Sequence, residues 1–390
     1  MKGSAAAGNP LRRLTIVYHH GGGGHRNAAE ALKSTLAAQA HPWEVTLLDI
    51  QELLDRIDLV RRSTGVRIQD TYNLILRRGW TRFSPQLLKI LQATIKVYHR
   101  AIVKLLRGYW AEHPADLVLS VIPHFNRQIA ASLKTDSATK PPFVTLITDL
   151  ADYPPHFWIE RESEYVIVGS ERAKAQAFAM GHKAGHVFEA SGMVLKPKFY
   201  EKSIVDRAAE RKRNGLSPEL LTGIVLFGGH GSKVMLDIVK NLDRSDTAVQ
   251  LILICGHNQK LEASLKAMKT QRPKLVLGFC SNVERYMAMS DFFIGKPGPG
   301  SISEALQLHL PVIVECNSKT LPQERYNATW VVEKGYGIVV RNFREIASAV
   351  KQLTDPPAFE RLQRNTSTYS NRALFEITEF LDTIFQRAAR

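Results

Sequence analysis

Three glycine-bearing turns in this chain each lead from an apolar strand pattern into a helical one, and the polar residues that follow them have chemistry to offer. The first is His19-His20-Gly21-Gly22-Gly23-Gly24-His25, between the β-rich run 14–18 and an Ala/Leu-rich helical run 26–38. The second is Gly228-Gly229-His230-Gly231-Ser232, between the strand pattern 223–227 and the helix 233–241. The third is Lys296-Pro297-Gly298-Pro299-Gly300-Ser301, between the apolar run 292–294 and a helix that carries Glu304. A glycine turn at a helix start presents backbone N–H groups and the positive end of the helix dipole, which suits a diphosphate. Ser301 is expected to cap the third helix. Glu304 follows one turn in, where a carboxylate can accept from both hydroxyls of a ribose. Four consecutive glycines at the first turn allow close backbone approach by a substrate. His25 then stands at the mouth of a helix, whose dipole favours the neutral imidazole. Taken singly, each turn has a plain structural account, because Gly and Pro make αβ connections in any α/β protein and a lone His often caps a helix.

The elements that must position these residues alternate along the chain. Further strand patterns fall at 43–49, 116–121, 142–148, 165–168, 251–255 and 312–315, with helical patterns between them. Two strand–glycine–helix openings in 390 residues argue for two Rossmann-like halves. The fold expected is α/β, two facing Rossmann-like domains with a cleft between them. The expected organisation is a tail over 1–13, a first domain over 14–195, a second over 196–372, and a helix over 373–390 returning to the first domain. Neither glycine opening is a dinucleotide fingerprint, since the third glycine of the first would fall on Arg26 or Asn27, and no Gly-Lys-Ser/Thr completes a phosphate loop. An NAD-dependent oxidoreductase is therefore disfavoured.

Composition narrows the partners. An apolar fraction of 44% and a charged fraction of 23% are those of a globular protein. The three cysteines form no C-x-x-C pair, which suggests a reducing compartment without disulfides or structural zinc. No run approaches a membrane span, and the N-terminus has no secretory h-region. The net charge of +15 calls for an anionic partner. Much of it lies between residues 51 and 110, with 12 Lys and Arg against 4 Asp and Glu. There Leu88, Leu91, Ile95, Tyr98, Ile102 and Leu105 repeat at helical spacing, with Lys89, Lys96, Arg100, Lys104 and Arg107 on another stripe. Trp80, Phe83, Tyr98 and Trp110 suit a headgroup region. An ordinary amphipathic helix with a solvated basic face gives the same pattern. A basic nucleic-acid-binding protein would interleave aromatics with base-reading motifs, and none is found.

Two stretches carry a family resemblance. Residues 22–31, GGGHRNAAEA, and residues 278–306, GFCSNVERYMAMSDFFIGKPGPGSISEAL, resemble the GT-B glycosyltransferases that glycosylate diacylglycerol, namely the monogalactosyldiacylglycerol synthases and the bacterial diglucosyldiacylglycerol synthases. A more distant likeness is to the peptidoglycan enzyme that adds N-acetylglucosamine to a lipid-linked muramyl peptide, whose first loop has Gly-Gly-Thr-Gly-Gly-His where four glycines run here. The resemblance implies an inverting transfer of a hexose from a UDP-sugar to a membrane lipid, with diacylglycerol expected as acceptor. A UDP-N-acetylglucosamine transferase acting on a polyprenyl-linked peptidoglycan precursor is the alternative. His25 would be the general base, with Asp149 as partner or rival. Gly228, Gly229, Gly231, Ser232, Gly298, Gly300 and Ser301 would hold the diphosphate, with Gly256 beside them. The uracil would meet the backbone of Phe279 and Cys280, the ribose Glu304, and the sugar hydroxyls Gln323 and Glu324. Gly23, Gly24, Thr148, His156, Phe157 and Trp158 would lie on the acceptor side. Lys89, Lys96, Arg100 and Lys104 would meet an anionic membrane surface, placing a peripheral enzyme on the cytoplasmic side of the cell membrane.

The chain departs from the family pattern twice. His257 replaces the usual Arg or Lys after Gly256, and Leu321-Pro322 replaces Pro-Gly before Gln323. No Asp-x-Asp pair occurs, so no metal is expected on the diphosphate and no cofactor beyond the donor. With no base-reading motif found, no nucleic-acid partner is expected.

Overall fold

The computed structural model describes residues 11–20, 23–39, 43–55, 84–134, 140–201 and 206–388. Trp80 and Phe83 lie outside them, as does the Lys89 side chain. The described residues build two all-parallel six-stranded sheets, one in each half of the chain. The first contains β1 (Arg12–Tyr18), β2 (Trp43–Asp49), β3 (Leu117–Ser120), β4 (Phe143–Leu146), β5 (Tyr165–Val168) and β6 (Val187–Glu189), in the order β2-β1-β3-β4-β5-β6. The second contains β7 (Leu221–Leu226), β8 (Val249–Ile254), β9 (Lys274–Leu277), β10 (Phe292–Gly295), β11 (Val312–Glu315) and β12 (Gly337–Val340), in the order β12-β11-β10-β7-β8-β9. Helices cover both faces, so strands such as β3, β4, β5 and β8 are buried along their whole length. They read as continuous apolar runs rather than alternating ones for that reason.

The two sheets place the glycine turns. In sheets of this kind ligands gather at the carboxyl ends of the strands where the strand order reverses. The second sheet reverses between β7 and β10, whose register sets Leu226 opposite Gly295. The turns Gly228–Ser232 and Lys296–Ser301 therefore leave the sheet side by side. In the first sheet the reversal lies between β1 and β3, where Val17 faces Ser120, so the loop before His25 and the loop through His124 start together.

Local chemistry sets the helix starts. The helix after β10 spans Pro299–Gln307 with Gly298 at the N-cap and Pro299 at its first position. Proline's fixed φ and missing N–H suit that position. The helix thus begins earlier than the expected cap at Ser301, which lies inside the first turn and does not cap it. Gln323 and Glu324 stand in the first turn of the helix Pro322–Glu333, started in the same way by Pro322. The helix Gly24–Ala38 begins at Gly23, whose φ of 82° favours glycine.

The last helix, Ala373–Ala388, crosses back to the first domain. Its stripe of Leu374, Ile377, Leu381 and Ile384 is fully buried against β1, β3 and the helix Gly24–Ala38, and each such side chain contributes about 1.5–3 kcal/mol. Asp382 accepts from Trp43 Nε1 at 2.9 Å and from Arg12 Nη1 at 3.3 Å. Just before the helix, Asn371 Nδ2 donates to the Met193 carbonyl at 2.8 Å.

Candidate active site

A cavity of about 730 Å³ opens between the two sheets, and both sets of turns line it. From the second domain come Gly228, Gly229, Gly256, Phe279, Cys280, Gly298, Gly300, Ser301, Glu304, Gln323 and Glu324. Facing them from the first domain are Gly24, His25, His124, Thr148, Asp149 and Phe157. Residues as far apart in the chain as Gly24 and Glu324 thus share one space.

The turns of the second domain are locked by backbone contacts. Gly256 has a φ of 59°, and a Cβ there would run into the Gly229 carbonyl. The His257 N–H donates to that same carbonyl at 2.8 Å. Gly231 packs against the Cys255 carbonyl, and the Ser232 hydroxyl accepts from the Val234 N–H at 3.3 Å. Gly231 and Ser232 therefore shape the turn, while Gly228 and Gly229 line the cavity. The His257 ring stacks on Phe279 with centroids 4.2 Å apart. Glu304 lies half-buried in the cleft wall, and burial pushes its carboxyl up to about 7 against the pull of Lys196. Lys296 Nζ donates to Glu324 at 2.8 Å, so the Glu324 carboxylate is already held in place. Asn327 Nδ2 donates to the Pro297 carbonyl at 2.8 Å and fixes the neighbouring turn.

In the first domain, His25 lies between two rings, with His19 at 4.5 Å and Trp158 at 5.5 Å between centroids. Its Nδ1 is 3.1 Å from the Thr148 hydroxyl, which can donate or accept. Burial pulls its pKa down to about 4, against a hydrogen bond to the Val121 backbone. The imidazole is therefore neutral near pH 7 and can take a proton. His124 is held down to about 4 for the same main reason.

The partner expected for His25 is displaced. Asp149 Oδ2 accepts from Trp158 Nε1 at 2.9 Å, and Thr148 takes the place beside the histidine. Burial raises the Asp149 carboxyl to about 7, the Trp158 bond opposes this, and Glu324 across the cleft adds to it. Trp158 is completely buried beneath the site and does not line the cavity, so it orients Asp149 and packs on His25 rather than touching an acceptor. Asp152 holds that loop, accepting from the N–H groups of Trp158 at 2.7 Å, Phe157 at 3.0 Å and His156 at 3.2 Å. His156 points away from the cleft, exposed and 3.6 Å from Glu160. Gly23 shapes the helix start, and Gly24 alone of that pair lines the cavity. Sequence reasoning gave no role to His19, His124, Lys196 or Lys296. The positions of His124 and Lys296 immediately after strand patterns were the available signal.

Two facing parallel-sheet domains with a cleft between them define the GT-B fold. The solved structures with this arrangement include Acinetobacter baumannii MurG (TM-score 0.62, 12% identity, 95% of this chain and 99% of that one) and the calicheamicin glycosyltransferase CalG4 (TM-score 0.61, 14% identity, 98% and 100%). At these identities the likeness shows the fold. Residues 25–193 match the monogalactosyldiacylglycerol (MGDG) synthase family, and residues 223–381 match the glycosyltransferase family 28 C-terminal domain. Similar proteins include a probable monogalactosyldiacylglycerol synthase 2 of Oryza sativa subsp. japonica (26% identical, 99% of this chain and 82% of the relative) and the monogalactosyldiacylglycerol synthase of Spinacia oleracea (26%, 96% and 73%). Both relatives are named as chloroplastic. That corrects the expected placement on the cytoplasmic side of the cell membrane.

Proposed function

We propose that this glycosyltransferase moves a hexose from a UDP-sugar to the hydroxyl of a diacylglycerol-type lipid with inversion at the anomeric carbon. The observation that carries this reading is one cavity with a helix N-terminus and Glu304 on one wall and the neutral His25 on the other. An alcohol is a poor nucleophile, and His25 would accept its proton as the new bond to C1 forms. Attack from the side opposite the leaving group inverts C1. The departing UDP gains charge, which backbone N–H groups at Gly228–Gly229 and Gly298–Ser301 would stabilise. Glu304 would hold the ribose diol and Gln323 and Glu324 the sugar hydroxyls. We expect a metal-free mechanism, since no Asp-x-Asp pair is present to hold a cation on the diphosphate.

Incubation with labelled UDP-galactose, UDP-glucose and UDP-N-acetylglucosamine on a mixed lipid extract tests the reading. An α-linked donor should give a β-linked glycerolipid by NMR, and turnover should persist in excess EDTA. Label found only in a polyprenyl-linked product would move the enzyme to the peptidoglycan class. Loss on chelation, restored by Mg²⁺, would overturn the metal-free mechanism.

Among the described residues no helix is long and apolar enough to cross a membrane. The basic stripe on the helices Ser84–Val97 and His99–Glu112 is the proposed docking face, with Lys96, Arg100 and Lys104 all exposed. Each basic residue near an anionic surface adds about 1 kcal/mol, fading over a Debye length of roughly 8 Å. Replacing Lys96, Arg100 and Lys104 by Ser should weaken sedimentation with anionic liposomes about tenfold or more and leave UDP affinity unchanged. Co-sedimentation equal to wild type would make the stripe a solvated face.

A further inference from the structure

One arm of the cavity has no task in the chemistry above. Among the described residues its wall is mainly apolar and comes from three helices of the first domain: Leu54 from Ile50–Leu54, Leu91 and Ile95 from Ser84–Val97, and Ile102 from His99–Glu112, with Gln51 and Thr94 as its polar members. The arm is continuous with the space that holds His25, Thr148 and Asp149. The elbow where the last two helices meet borders the same cavity. There Tyr98 both lines the cavity and is 36% exposed, and Val97 beside it is 81% exposed. Exposed Lys96 and Arg100 flank the elbow.

We propose that this arm is the acyl-chain channel for the acceptor lipid, with its mouth at the Val97–Tyr98 elbow. The inference rests on the glycerolipid acceptor proposed above and adds where its hydrocarbon lies. A single exposed apolar residue is ordinary on a protein surface. Here it stands beside Tyr98, which lines the same cavity as the proposed base. A glycerol hydroxyl at His25 carries its chains on the adjoining carbons, so the chains must leave through a wall next to that histidine. The apolar arm is such a wall, and the donor end with its turns and carboxylates is not. Affinity rises about fourfold for each methylene taken from water into such surroundings. Basic residues at the mouth would hold it against an anionic lipid surface while the chains pass.

Filling the arm tests the channel. Leu91→Trp and Leu54→Trp are compared with wild type for hexose transfer to dioctanoylglycerol and to dioleoylglycerol in detergent micelles, with UDP calorimetry on each protein. The channel predicts that the preference in kcat/KM for the long-chain acceptor falls at least tenfold in both variants while UDP affinity stays at the wild-type value. An unchanged preference in variants that bind UDP normally overturns it. Should a Trp variant lose UDP binding, Leu91→Asn, which makes the wall polar without adding bulk, is read by the same ratio. Failure of wild type to glycosylate either glycerolipid would defeat the proposed function itself, an outcome distinct from an unchanged ratio.

Discussion

Replacing His25 by Ala should cut turnover by about 10²–10⁴-fold and leave UDP affinity near the wild-type value. The separation follows from geometry. His25 belongs to the first domain and meets Thr148, His19 and Trp158, while the turns proposed for the donor belong to the second. Asp149 is the rival base, and pH dependence separates the two. His25 is pulled down to about 4 and must be neutral to act, so turnover governed by it falls as pH drops through about 4. Asp149 is raised to about 7 and must be ionised to act, so turnover governed by it falls as pH drops through about 7. The measurement is kcat at saturating donor, which reports groups in the bound complex and removes titration of donor binding. An acid limb near 7 together with near-normal turnover in His25→Ala would transfer the role to Asp149.

The parts of the site legible in the sequence were those made by backbone. Glycine turns at 228–232 and 296–301 can be recognised because the conformation demands the residue, as the clash of a Cβ at Gly256 with the Gly229 carbonyl illustrates. Long apolar strands such as β8 were legible for the same kind of reason. The edge strands β6 and β12, with three and four residues, carry too little pattern to stand out. Side-chain partnerships were the illegible part. Thr148 and Asp149 are adjacent and both polar, and only the packing of Trp158 decides which of them reaches His25. That packing depends in turn on Asp152, which gathers three N–H groups of the following loop. The apolar arm was half visible. The periodicity of Leu88, Leu91, Ile95 and Ile102 marked a helix face to be covered, and sequence spacing does not distinguish a face that packs on a core from one that also borders a cavity.

One carboxylate in the cleft, Glu304, is expected to set much of the nucleotide affinity. Glu304 stands one turn into the helix Pro299–Gln307, where its burial raises its pKa to about 7 and Lys196 opposes the rise. If it accepts from both ribose hydroxyls, Glu304→Ala should weaken UDP binding by about 1–3 kcal/mol, the scale of lost charge-assisted hydrogen bonds. Two comparisons tie the loss to the diol. First, 2′-deoxy-UDP should bind wild type more weakly than UDP, and the Glu304→Ala variant should barely distinguish them. Second, the bond is strongest to the ionised carboxyl, so affinity should rise as pH rises through about 7. Uridine is the ligand for that measurement, since it has the diol and no phosphate to titrate in the same range. In Glu304→Ala the pH dependence of uridine binding should disappear. Calorimetry reads all of these, and a folded variant that binds UDP and its 2′-deoxy form as wild type does would place the ribose elsewhere in the cleft.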